Sequence, residues 1–375
     1  MGDVQDILIV GGGIAGLVAA CMLRDRGFTV DLVEKNPAWN AYGVGIIQQS
    51  NVVRAMHQAG LLERYLASGF PFEDVEFHSP DGVRRARIPG ERLAGPDYPA
   101  NVGVRRSALH ETLKAAVLEK GTRVRLGLTV QGLVQADGAV DVTFTDGSAG
   151  RYDLVIGADG AHSRVRSLLF GERYVPTFTG QSVWRTNFPR PQGMEALQTF
   201  RDVSGNSAGL VPLSADLMYL YLTTREPGNP RFAPGQLPAL MRERLKDFRG
   251  AVAELREQIT DASEVVYRPI EVVFVDEPWY AGRVVLVGDA AHTTTPHLGQ
   301  GAGMAIEDVV VLSELLGGGQ PVKDVLPAFF ARRYERTKYI QDTSLMVCRA
   351  EMENDHTLNH PQVIGEMLHY TARPI

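Results

Sequence analysis

The sequence predicts an α/β fold: a parallel sheet wound with helices, a β-meander, an antiparallel-sheet domain and C-terminal helices. Three observations carry this prediction. A short apolar run ends in three glycines and passes into a helical pattern. Two later apolar runs also end in glycine and aspartate. Between those two lies an aromatic-rich stretch of different texture.

The elements follow in order. Residues 6–10 run apolar without a break after Asp6, as a parallel strand buried on both faces does. Gly11-Gly12-Gly13 makes a tight turn, residues 14–26 carry helical periodicity, and Gly27 stops them. Residues 28–33 form the next strand, completing a βαβ unit of about 30 residues. Residues 122–152 read as a β-meander with strands at 129–134, 140–145 and 151–156, turned by Asp137-Gly138 and Asp146-Gly147. Residues 180–270 read as a separate antiparallel sheet, with Trp184, Phe188, Phe200, Tyr219 and Tyr221 on its strands and one polar helix over 237–255. A buried strand returns at 283–287, a helix runs from 301 to 316, and the last 50 residues are helical without a motif.

At about 150 residues per domain, 375 residues suggest two domains or one large one. Net charge is −6 and Lys and Arg form no run, which argues against nucleic-acid binding. Cys21 and Cys348 are the only cysteines, so no disulfide framework is expected and a reducing cytoplasm fits. The first apolar run lacks a basic flank and is cut by glycines, unlike a signal peptide. No 18-residue apolar stretch occurs, so no membrane span is expected.

Gly11 to Gly16 spell G-x-G-x-x-G, with Ile14 and Ala15 inside the motif. The motif alone is weak. Here it follows a strand, opens a helix, and is answered about 20 residues later by Glu34, which Lys35 follows. Glycines let backbone N–H groups approach a diphosphate, and the helix N-terminus adds partial positive charge. A carboxylate at Glu34 can accept from an adenosine ribose. This makes the first unit Rossmann-like without deciding between FAD and NAD.

Two further motifs decide it. One is Asp153-Leu154-Val155-Ile156-Gly157-Ala158-Asp159-Gly160, followed by His162, Arg164 and Arg166. The other is Gly288-Asp289-Ala290-Ala291-His292, followed by Pro296 and by Gly299-Gln300-Gly301-Ala302-Gly303. With the first motif, in this order and spacing, they resemble the single-component aromatic-ring flavin monooxygenases, the p-hydroxybenzoate hydroxylase-like family, over about residues 5–340. The resemblance implies a Rossmann-like FAD-binding domain (1–73, 100–179 and 270–325), a substrate domain (74–99 and 180–269) and a C-terminal helical region (326–375). It implies FAD, NADH or NADPH as co-substrate, and O2. In this family O2 adds to the reduced flavin, and the distal oxygen of a C4a-hydroperoxide attacks an electron-rich ring. The partner is then a small aromatic or heteroaromatic substrate, and the protein a monomer or homodimer.

The resemblance also assigns residues. Asp289 goes to the flavin ribityl hydroxyls, Arg106 to the ribityl or diphosphate, and Asp159-Gly160 to FAD and nicotinamide. Gly45 and Ile46, in the segment Gly43-Val44-Gly45 before Ile47, Gln48 and Gln49, pass beside the flavin, with Val130 near it. Gly299, Gln300, Gly301, Ala302 and Gly303 open a helix whose dipole can stabilise negative charge on reduced flavin. Arg164 and Arg166 are candidates for phosphates or for the plain surface. Arg185, Tyr219 and Tyr221 are candidates for the substrate face or for sheet packing. His297, beside Pro296, is placed where flavin and ring should meet. Its ordinary pKa near 6.5 suits a catalytic base; a solvent-facing loop histidine is the other reading. His292 and Asp308 are expected to hold structure. A disulfide reductase would need a second G-x-G-x-x-G after a strand and a redox Cys pair; a halogenase would need W-x-W-x-I-P. Neither is present. A reductase, oxidase or N-oxygenase of the same fold, or a non-catalytic FAD-binding protein, stays open.

Overall fold

A computed structural model describes residues 2–41 and 44–375. Gly43, expected beside the flavin, lies outside the described residues. A six-stranded sheet forms the base. Its order is Tyr280–Ala281, Val284–Leu286, Leu154–Gly157, Asp6–Val10, Thr29–Glu34 and Arg123–Leu126. All neighbours are parallel except the first pair. The apolar runs read from sequence are its central strands, and Ile7, Leu8, Ile9, Leu154 and Ile156 are fully buried. Burial on both faces explains their continuous apolar character.

Helix Ile14–Asp25 packs against helices Arg106–Glu119 and Gly301–Gly317. A meander of Val130–Ala136, Ala139–Phe144 and Ala149–Tyr152 also meets the sheet, adding Val140, Val142 and Phe144 to the same core. Two expectations change here. Residues 123–126 belong to the parallel sheet as its edge strand, not to the meander. The predicted strand 151–156 is two strands in two sheets. Asp153 makes the break, its carboxylate accepting from the N–H groups of Gln5 and Asp6 at 2.7 and 2.9 Å.

The second large sheet has seven strands, ordered Val266–Phe274, Thr177–Pro189, Leu217–Arg225, Ser207–Pro212, Leu197–Arg201, Asp74–His78 and Arg84–Pro89. It is antiparallel apart from the pairing of Leu197–Arg201 with Asp74–His78. Strands Thr177–Pro189 and Val266–Phe274 cross the divisions expected at 179/180 and 269/270, and Phe274 bridges to His292 in the third motif. The predicted helix 237–255 is two helices, Leu237–Arg244 and Ala251–Gln258. Gly250 separates them at φ 57°, a backbone conformation a side chain would resist.

The C-terminal residues form a 31-residue helix, Val322–Met352, and a second helix, His360–Ala372. No helix among the described residues is long and apolar enough to cross a membrane.

Candidate active site

The first glycine turn is built by close approach. Gly11 sits at φ 111°, and a Cβ there would lie 2.3 Å from the carbonyl oxygen of Ala158. A Cβ at Gly16 would lie 1.9 Å from the oxygen of Gly11. These two glycines therefore let strand, turn and helix pack; neither lines the open space. Gly12, Gly13, Ile14 and Ala15 do line it, forming one end of a cleft of about 530 Å³. Glu34 closes that end. Its two carboxylate oxygens accept from the N–H groups of Gly12 at 2.8 Å and Asn36 at 2.7 Å, and the residue lines the cleft. Lys35 is exposed and outside the lining.

Trp39 and His110 complete this end and were not found by sequence reasoning. Both reach the carbonyl oxygen of Gly12, through Trp39 Nε1 at 3.2 Å and His110 Nε2 at 2.9 Å. Neither stands in a motif, so no local signal marks them.

The cleft continues past Gly45, Ile46, Arg106 and Gly160 to Asp289, Pro296, Gly299, Gly301 and Ala302. Gly288, at φ 60°, turns the strand into the short helix Asp289–His292. The Asp289 carboxylate has no hydrogen-bond partner among the described residues, and burial within the cleft pushes its pKa up, against the fields of His292 and Arg106. Gly299, at φ 66°, ends the turn Pro296–Leu298 and releases the N-terminus of helix Gly301–Gly317 into the cleft.

Other predicted contacts lie elsewhere. The Asp159 carboxylate accepts from Ser163 Oγ and from the N–H groups of Arg164 and Val165, capping helix Arg164–Phe170. Arg166 is buried and donates to the carbonyls of Tyr174, Ala290 and Ala161, so it is not free for a phosphate. Arg164 is exposed and donates to the carbonyl of Gln131. Val130 is a core residue of the meander. Gln300 is buried, and its amide is held by Gln49 and Asn51. A Cβ on Gly303 would lie 2.6 Å from Val52, so this glycine serves helix packing.

Behind the two flavin-motif loops is a buried polar layer. Asp308 accepts from His292 Nε2 at 2.6 Å and from Gly288 N–H at 2.9 Å. Arg333 donates to Asp308 at 2.8 Å and to Glu307 at 2.9 Å; Arg336 holds both Glu307 oxygens at 2.8 Å. Asn51 links Glu307 to Gln300. The expected structural roles of His292 and Asp308 therefore have a definite geometry, and the C-terminal helix supplies its cations.

A second chamber of about 600 Å³ adjoins the cleft, sharing Ile47, Val183, Arg185, Tyr219, Pro296 and Gly299 with it. Its apolar walls include Val75, Phe77, Phe200, Tyr221 and Leu298. Arg185 stands at the junction with its Nε unpartnered. Burial lowers its pKa, and Tyr219 opposes that. Burial raises both the Tyr219 and Tyr221 phenols, so each stays protonated at neutral pH.

His297 is not a solvent-facing loop residue: its side chain is 2% exposed. Nδ1 lies 2.9 Å from Thr295 Oγ1, and Nε2 lies 3.1 Å from Glu351 Oε2, so both ring nitrogens are engaged. Glu351, near the end of the long helix, was not anticipated. Only the fold brings it to residue 297.

A family model described as "FAD binding domain" matches residues 4–326. The chain is 34% identical over 323 residues to 3-amino-4-hydroxybenzoate 2-monooxygenase of Streptomyces cremeus, covering 82% of this chain and 77% of that one. It is 30% identical over 347 residues to 2-heptyl-3-hydroxy-4(1H)-quinolone synthase of Pseudomonas aeruginosa, covering 92% and 88%. In fold it is similar to Klebsiella pneumoniae HpxO, solved with FAD and uric acid: the TM-score is 0.88 at 24% identity, covering 98% of this chain and 96% of that one. Unpartnered Asp289, the glycine turn with Glu34, and the open helix N-terminus at Gly301 together suit FAD. The chain thus belongs to the FAD binding domain family, as an FAD-dependent monooxygenase.

Proposed function

We propose that the protein hydroxylates a small aromatic or heteroaromatic ring bearing a hydroxyl, amino or oxo substituent, using NAD(P)H and O2. One observation carries the reading: the FAD cleft opens into an apolar chamber through a shared wall that includes Arg185, Tyr219, Pro296 and Gly299. Two relatives are named as monooxygenases of such rings, 3-amino-4-hydroxybenzoate and 6-hydroxynicotinate.

Bound FAD, once reduced by the nicotinamide, would activate O2. The protein does the rest. Gly12, Gly13 and Glu34 hold the adenosine and diphosphate end, and Asp289 takes the ribityl hydroxyls. Arg106 and the N–H groups of Gly301 and Ala302 favour negative charge on the ring system. Arg185, at the junction, is placed to meet a polar substituent of the ring, where a cation acts strongly because little water reaches it. Val75, Phe77, Phe200 and Tyr221 enclose the ring and exclude water. His297 belongs to the proton-handling group of the chamber.

The test is a panel of hydroxybenzoates, aminohydroxybenzoates, hydroxypyridines and hydroxyquinolines, with NAD(P)H consumption, peroxide and hydroxylated product measured together. At least one ring should stimulate oxidation with product near one per nicotinamide. Stimulation with peroxide alone, across the panel, would contradict the reading.

A further inference from the structure

Glu351 is the one acidic residue in the chamber wall among the described residues. Its side chain is 3% exposed. Three donors converge on a single oxygen, Oε2: His297 Nε2 at 3.1 Å, Gln181 Nε2 at 2.9 Å and Thr223 Oγ1 at 2.9 Å. The other oxygen, Oε1, has no hydrogen-bond partner among the described residues. It is not fully enclosed, and Glu351 lines the chamber, so Oε1 is open to a ligand there. A buried carboxylate oxygen left without a donor is costly unless a ligand supplies one.

The surrounding groups fix its state. Burial alone would push the Glu351 carboxyl up; the His297 imidazole, its hydrogen bond, that of Gln181 and the field of His360 hold it below the usual range. Tyr221 faces it as a protonated phenol, and Arg201 and Asp355 flank His360. An ionised Oε2 requires a proton on His297 Nε2. Nδ1 is met by Thr295 Oγ1 at 2.9 Å, a hydroxyl that itself donates to the Ser344 carbonyl at 3.0 Å, while Ser344 Oγ donates to the Thr295 carbonyl at 2.9 Å. These contacts leave His297 no nitrogen for a substrate.

Taking the chamber as the substrate site, we propose that Glu351 is the base of the hydroxylation: its free Oε1 receives the hydrogen bond, and then the proton, of an O–H or N–H on the ring. His297, Gln181 and Thr223 hold Oε2 and so aim Oε1. The O–H or N–H bond breaks, the proton goes to Oε1, and the bond's electron pair enriches the ring carbon that forms the new C–O bond. That carbon then loses its own proton as aromaticity returns, and Glu351 returns its proton to the ring oxygen or nitrogen. The oxidant is the O2 of the monooxygenase reaction: its O–O bond breaks, one oxygen joins the ring carbon, and the other leaves as water with the two electrons of NAD(P)H. The substrate class is an aromatic ring bearing a donor, and His297 is a positioning residue.

The holoenzyme is titrated with 4-nitrophenol and with donor-less nitrobenzene, following flavin absorbance, for wild type, Glu351→Gln and His297→Asn. Flavin content and melting temperature confirm the fold of each. Wild type should bind the phenol about tenfold better than nitrobenzene, as the neutral phenol and without a phenolate band. Glu351→Gln should lose most of that preference, and His297→Asn should keep part of it. With a substrate from the panel, Glu351→Gln should lower coupled hydroxylation about 10²-fold and remove the acidic limb of its pH profile. Equal preference in wild type and Glu351→Gln, no binding of either probe to wild type, or wild-type coupling in Glu351→Gln each overturns the assignment. Loss of coupling in His297→Asn alone would return the base to His297. Loss in Glu351→Gln alone would remove His297 from the proton-handling group and leave Glu351 in place.

Discussion

At the residue scale, Glu34 is the most readable member of the site. Its place after a second strand was legible because the spacing follows from the length of one βαβ unit. Its two bonds to Gly12 and Asn36 were not legible, and they give it a double task. It shapes the turn that meets the diphosphate and still faces the cleft. Glu34→Ala should therefore weaken FAD binding more than loss of one ribose contact would. A charged hydrogen bond is worth roughly 1.5–3 kcal/mol, so the Kd for FAD, measured by fluorescence titration of the apoprotein, should rise at least about tenfold. An unchanged Kd would remove Glu34 from the site. Glu351 is the opposite case. Nothing around it in sequence distinguishes it from other acidic residues of a long helix. Its meaning comes from a partner 54 positions away.

At the element scale, the glycine motif is chiefly a device for approach. Gly13 has open space where a Cβ would be, whereas Gly16 would drive one into the Gly11 carbonyl at 1.9 Å. A Gly16→Ala change should push helix Ile14–Asp25 off its strand and misplace the N–H groups of the turn. We expect a melting temperature lowered by several degrees and flavin lost on gel filtration. Gly13→Ala should disturb the fold less while still crowding the cleft. Equal retention of flavin by Gly16→Ala and wild type would count against this division of labour. The strands of the base sheet were legible for the same physical reason that they form it: burial on both faces demands uninterrupted apolar residues. Boundaries set by single polar residues were not. Asp153 cuts one predicted strand into two sheets by accepting two backbone donors, and Gly250 cuts one predicted helix in two.

At the scale of the whole molecule, the buried layer of Glu307, Asp308, Arg333 and Arg336 joins the long C-terminal helix to both flavin-motif loops. Burial would raise the Glu307 and Asp308 carboxyls. For Glu307 the guanidiniums of Arg333 and then Arg336 outweigh it, and for Asp308 His292 and then Arg333 do, so both are held below their ordinary values of 4.5 and 3.8. A carboxyl depressed in the folded state adds stability above its unfolded pKa and loses it as pH falls through the folded one. Melting temperature should accordingly fall as pH drops below about 4.5. The fall should be shallower in Glu307→Gln, which lacks one of these groups but starts less stable. Parallel curves for the two proteins would show that Glu307 does not contribute. Removing Arg333 altogether should cost more, about 3–5 kcal/mol, because two buried carboxylates lose their cation. The last 50 residues carry no motif because their work is to complete contacts begun elsewhere in the chain.

That helix also has a phase. At 1.5 Å per residue its 31 residues span about 45 Å. Arg333 and Arg336, near its middle, steady the flavin loops, and Glu351, near its end, faces the chamber. Both tasks depend on one side of one rod, so the number of residues between them sets their relative phase. Dropping a single residue from the exposed face between 337 and 350 would turn Glu351 by about 100° while the arginines keep their grip. Such a chain would remain yellow, still consume nicotinamide, and release its oxygen as peroxide.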